Sequence, residues 1–257
     1  METSLKLPPG PKRNHEIVLG CQDSMKPVKR CSFLYSSVMA GLVFFKAMPW
    51  AWTDTDAAMV IVALGDSTTA GTPGFRSPAE TPPDGTGDPQ SQYAYWVNER
   101  HPQWRMINRG IRGERSDEIL SRFDSDVIAY KPEILIVLAG VNDLYQDYPA
   151  EWVKRNLQAV YQRALQAKIK VMACTILPYN GMLSRVRQRM QEVNEWIRAY
   201  SLEHGLGFCD TYRALEDPSR PGNLLSTSDG IHPDVEGYRR MGDAIADALE
   251  SWLGVKK

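Results

Sequence analysis

Cysteine is scarce in this sequence, with four residues in a chain of 257, which excludes a disulfide scaffold as the basis of the fold. Histidine is equally scarce. None of the four, His15, His101, His204 and His232, stands at the spacing of a zinc-ligand motif, which argues against a metallohydrolase, and no organic cofactor is expected. An excess of charge is missing too. Thirty basic against thirty-one acidic residues leave a net charge of −1, and nothing in that balance calls for nucleic acid as a partner. The apolar stretch at 31–45 is soon interrupted by Lys46 and Pro49, which is short for a membrane span. The Gly-x-Ser-x-Gly signature is absent, which argues against a nucleophile elbow on the larger α/β-hydrolase fold. No internal repeat or heptad is evident, and no obligate protein partner is implied.

What is present is an ordinary globular composition, enough for one large domain preceded by a tail. Residues 1–23 are rich in Pro, Gly and charge and read as a disordered tail. Lys26, Lys29 and Arg30 then flank the apolar stretch, and small residues follow around Ala57. That is the layout of a secretory signal peptide whose start is Met25. The expectation is therefore a 1–58 tail and leader, and a periplasmic or secreted 59–257 domain. The alternative is an uncleaved N-terminal membrane anchor. Cys21 and Cys31 leave with the leader; Cys174 and Cys209 lie in strand-like runs and read as small buried residues rather than a bridge.

From Met59 onward short apolar runs alternate with amphipathic ones, the pattern of an α/β fold with a parallel sheet. Strands are expected at 60–64, 105–108, 134–139, 170–176 and 206–209, and helices at 92–100, 116–129, 149–167, 183–204 and 234–253. With sheet order 2-1-3-4-5 the first three strands are neighbours. Two connections break the pattern: 72–91, rich in Pro and Gly, and 211–231. Long loops of this kind in compact domains are commonly functional.

Four short motifs follow strands: Gly65-Asp66-Ser67, Asn108-Arg109-Gly110, Gly140-Val141-Asn142-Asp143 and Asp229-Gly230-Ile231-His232. In open parallel sheets ligands bind beyond the carboxyl ends of the strands, where the order reverses. A serine hydroxyl becomes a nucleophile when a base takes its proton and a third group orients that base. Ser67, His232 and Asp229 fit those roles. Acyl attack also creates an oxyanion that needs fixed donors, and Ser67, Gly110 and Asn142 are the candidates. Pro233 is expected in the first turn of the last helix. His101 and His204, near helix ends, read as surface residues. Tyr93, Tyr95 and Trp96 offer a stacking platform for substrate, although helix packing competes for them. Arg109, Arg112 and Arg115 offer recognition of an acidic substrate, against the simpler reading of a solvated face.

On these four blocks the chain resembles the SGNH hydrolase superfamily, also called the GDSL lipase and esterase family, over nearly all of 59–253. The resemblance implies a flavodoxin-like three-layer sandwich, with Ser67 as nucleophile, His232 as base and Asp229 as its partner. It also implies Ser67, Gly110 and Asn142 as oxyanion donors. The expected activity is hydrolysis of a small-molecule, lipid or carbohydrate ester through an acyl-enzyme. An acyltransferase, or a non-catalytic carbohydrate- or lipid-binding module on the same fold, is the alternative. The 72–91 loop departs from shorter members and leaves the shape of the acyl pocket open.

Overall fold

The structure is a computed structural model and describes residues 58–255. The expected tail, leader and cleavage region lie outside the described residues. The strands are β1 (Met59–Gly65), β2 (Phe75–Arg76), β3 (Thr86–Gly87), β4 (Trp104–Gly110), β5 (Ile134–Leu138), β6 (Lys170–Cys174) and β7 (Gly207–Cys209). The helices are α1 (Ser67–Ala70), α2 (Tyr93–Arg100), α3 (Ser116–Ser121), α4 (Phe123–Asp126), α5 (Val141–Tyr145), α6 (Ala150–Gln166), α7 (Ser184–His204), α8 (Thr211–Leu215) and α9 (Val235–Leu253).

Five strands form one parallel sheet in the order β4-β1-β5-β6-β7. Counted within that sheet this is the expected 2-1-3-4-5. The strands read as continuous apolar runs because both faces are covered. Successive side chains of a strand point to opposite faces, and the two layers divide accordingly. Val62, Leu64, Leu135 and Val137 pack with α3, α4, α6 and α7. Ile61, Ala63, Ile134 and Ile136 pack with α2 and α9. Each strand residue thus serves one layer, giving an α/β/α sandwich. Cys174 and Cys209, in register on β6 and β7, are buried free thiols.

Several local expectations are corrected. The single helix at 116–129 is instead α3, α4 and a 3-10 turn at Ile128–Tyr130. The break falls at Arg122, whose guanidinium reaches the carbonyls of Gly65 (2.9 Å) and Arg109 (2.8 Å). Pro233 lies outside α9, which is capped by Asp234 accepting from Gly237 N. His101 is buried, stacked on Trp104 with Nε2 2.8 Å from Glu250 Oε1; the acidic partner on α9 makes that burial tolerable. The 72–91 loop holds the two-residue ribbon β2–β3 and a 3-10 turn at Pro89–Ser91, so it is ordered rather than structureless.

Candidate active site

β1 lies between β4 and β5, and the site forms where these strands end. At Gly65 the chain leaves β1. Asp66 then caps α1, its Oδ1 accepting the Thr68 N–H at 3.0 Å. This places Ser67 in the first turn, 7 % exposed. From the far side the 211–231 connection returns over the sheet edge. Asn180 N donates to Gly230 O at 2.7 Å and Asn180 Oδ1 accepts from Leu224 N at 3.0 Å. Thr227 Oγ1 accepts from Gly230 N at 2.9 Å, and the loop is fixed at both ends of its tip.

These contacts bring together three side chains far apart in sequence. His232 Nε2 lies 3.0 Å from Ser67 Oγ, and His232 Nδ1 lies 2.8 Å from Asp229 Oδ2. Asp229 Oδ1 also accepts the backbone N–H groups of Ile231 (2.8 Å) and His232 (2.7 Å). Partial burial works against ionisation of Asp229. The backbone N–H of His232, its ring and the N–H of Ile231 outweigh that cost and hold the carboxyl down at about 2. It is therefore ionised at neutral pH and accepts from the Nδ1 side, which leaves Nε2 facing the serine as acceptor.

The cavity beside this trio has a volume of about 370 Å³. Asp66, Ser67, Thr68, Thr72, Arg112, Asn142 and His232, with the backbone of Gly113, are its polar lining; Leu138, Val141, Ile176, Leu177, Tyr179 and Ile231 supply most of its apolar wall. Asn142 sits in the first turn of α5, and its Nδ2 donates to Glu114 O at 2.8 Å. One amide hydrogen is spent on orientation and the second is left for a ligand.

Gly110 does not belong to this lining. Its N–H donates to Asn108 Oδ1 at 2.9 Å and its carbonyl accepts from Ser77 Oγ at 2.5 Å. The glycine is required instead by packing, since a Cβ there would lie 2.1 Å from Ala70 N. Gly113, three residues on, lines the cavity with φ +77 and open space where a Cβ would be. Replacing both should separate the two roles. Gly110→Ala should cost about 3 kcal/mol or more through overpacking, and Gly113→Ala about 1–2 kcal/mol of left-handed backbone strain. Urea unfolding of the two variants measures the contrast, and equal losses would contradict it.

The expected aromatic platform is also corrected. Tyr93 is fully buried between the sheet and α9, with its hydroxyl 3.3 Å from Thr69 Oγ1. Trp96 packs on the same layer and donates Nε1 to Gln90 O at 2.8 Å. Neither lines the cavity. The aromatic residues that do are Tyr145 and Tyr179, ring centroids 6.2 Å apart. Their only sequence signal was proximity to the ends of β5 and β6. The arginine cluster is dispersed: Arg109 pairs with Asp126, Arg115 with Asp117 and Glu118, and Arg112 alone reaches the cavity.

Comparison with known proteins agrees with this architecture. An acetylxylan esterase of Geobacillus stearothermophilus is 24% identical over 157 residues, spanning 55% of this chain and 70% of that protein. Platelet-activating factor acetylhydrolase IB subunit alpha1 of Pongo abelii is 28% identical over 154 residues, 57% of this chain and 63% of that protein. Among solved structures, a lipolytic protein of the G-D-S-L family from Desulfitobacterium hafniense DCB-2 superposes with TM-score 0.63 at 26% identity, covering 74% of this chain and 99% of that one. The profile of the GDSL-like Lipase/Acylhydrolase family matches residues 63–240, and the chain belongs to that family.

Proposed function

We propose that the protein is a serine ester hydrolase acting through an acyl-enzyme on Ser67. The observation that carries this reading is the unbroken relay from Ser67 Oγ through His232 to Asp229, at 3.0 and 2.8 Å, opening on a largely apolar cavity. In the first half-reaction His232 Nε2 takes the Ser67 proton as Oγ bonds to the ester carbonyl carbon. The tetrahedral oxyanion is received by the N–H groups of Ser67 and Gly113 and the second amide hydrogen of Asn142. Collapse breaks the C–O bond to the alcohol, which leaves with the proton that His232 returns. Water then repeats the sequence on the acyl-enzyme, releasing the acid and restoring Ser67. Asp229 stays ionised throughout and stabilises the imidazolium.

The relatives named as an acetylxylan esterase and a platelet-activating factor acetylhydrolase support a carboxylic ester, an acetate among them, as substrate. A fluorophosphonate probe should label Ser67, identified by peptide mapping, and a nitrophenyl ester series from acetate to octanoate should be hydrolysed. Labelling elsewhere with no ester turnover would overturn the reading.

Turnover should fall on acidification. An imidazolium cannot accept the Ser67 proton, while Asp229, held at about 2, remains charged. The group lost is therefore the base and not its partner. A profile flat from pH 8 down to pH 4 would remove His232 from that role.

A further inference from the structure

The arginine that reaches the cavity is built in an unusual way. The 72–91 loop contributes Glu80, whose Oε1 accepts both the backbone N–H and the Nε–H of Arg112, each at 3.0 Å. Its other oxygen, Oε2, accepts from Ser77 N at 3.3 Å. Ser77 Oγ in turn binds the Gly110 carbonyl at the end of β4. The loop is thus stapled beside the site through the residue that orients the guanidinium. A guanidinium carries five N–H donors in a planar fork. Glu80 engages Nε and leaves the Nη edge, which takes no partner among the described residues, with the side chain 33 % exposed. Holding a long side chain by its Nε in a mostly apolar cavity lowers the entropy cost of a further bidentate bond.

Among the described residues Asp66 is the one carboxyl in the cavity lining, and its burial leaves it only part ionised at neutral pH. Asp66 is fully buried beneath Ser67, and burial, together with Asp143 and Glu114, raises it to about 7 against the Thr68 N–H bond. Glu114 is engaged by Arg122, and Asp117 by Arg115.

We propose that Arg112 anchors an anionic group of the substrate, a carboxylate or a phosphate, through its free Nη edge. This rests on the esterase reading of the same site and adds a substrate class to it, an ester whose alcohol portion bears a negative charge. Arg112 is then a specificity residue, and Glu80 a positioning residue acting through it.

The test compares para- and meta-acyloxybenzoates with their methyl esters, and para-acyloxyphenyl phosphate with its neutral phenol analogue. Each carries the acyl group that the nitrophenyl series favours. In the wild type the charged member of at least one pair should have the lower KM, and the preference should shrink between about 20 and about 500 mM salt as the contact is screened. In Arg112→Gln the kcat/KM ratio of charged to neutral ester should fall about tenfold, the scale of one charge-assisted hydrogen-bond pair. Arg112→Lys should restore part of it. The benzoate and phosphate pairs tell carboxylate from phosphate. A wild type that favours the neutral member of every pair, or a ratio unchanged in both variants, would overturn the proposal. Turnover surviving in Ser67→Ala would instead overturn the esterase reading, so the two failures are distinguishable.

Discussion

Ser67→Ala should lower kcat/KM on the best ester by roughly four to six orders of magnitude, the range seen when the serine of such a trio is removed. The loss is that large because, among the described residues, the hydroxyl paired with His232 Nε2 is Ser67 Oγ, at 3.0 Å. Stability should move little. The substitution deletes one oxygen and one hydrogen bond, worth about 1 kcal/mol net, and α1 keeps its Asp66 cap. The urea midpoint therefore tells loss of chemistry from loss of fold. His232→Ala should cause a loss of similar size, and the double variant should be no worse than either, because residues that act as a unit are not additive. Multiplicative losses would mean that the two side chains act independently, and a Ser67→Ala enzyme within tenfold of wild type would end the assignment.

The parts of this molecule legible in the sequence are those carried by local pattern. The runs that became β1, β5 and β6 are apolar at consecutive positions because each residue is buried against one helical layer or the other, and no tertiary knowledge is needed to see that. Ser67, Asp229 and His232 were legible for a related reason. Each lies in a short motif whose geometry is local, a cap after a strand or a turn of three residues, and only their convergence needed the fold.

What was not legible depended on direction. Gly110 and Gly113 stand three apart in one segment, and both are glycine for real reasons. Gly110 pairs with Gly65 at the strand ends and lets the Ala70 backbone approach, whereas Gly113 turns into the cavity with positive φ. Composition and spacing do not separate the two. Tyr93 and Trp96 sit on the face of α2 turned toward α9, a choice that a weakly amphipathic eight-residue helix does not announce. The Arg112–Glu80 pair joins residues 32 positions apart through an irregular loop, where no period marks which carboxylate will arrive.

Relative to wild type, Asp66→Asn should gain stability as pH rises from 4 to 7, with no further gain well above 7. Asp66 is fully buried, and its Oδ2 takes no partner among the described residues. Burial, with smaller contributions from Asp143 and Glu114, raises the carboxyl from 3.8 to about 7 in spite of the Thr68 N–H bond. In the unfolded chain the same group releases its proton near its ordinary value. Between those two values the native state binds more protons than the unfolded state, so stability falls as pH rises. At about 1.4 kcal/mol for each pH unit the loss approaches an upper bound of about 4 kcal/mol above pH 7. The asparagine keeps an oxygen for Thr68 N and does not titrate. Whatever its buried amide costs is independent of pH and cancels from the slope. Asp143, also raised by burial, should contribute a residual slope of the same sign in both proteins. Urea unfolding of wild type and variant at pH 4, 6 and 8 gives the difference directly. A difference that stays constant across that range would mean that Asp66 is ionised in the native state as easily as in the unfolded one, and that the charge beneath Ser67 is solvated in a way its burial contradicts.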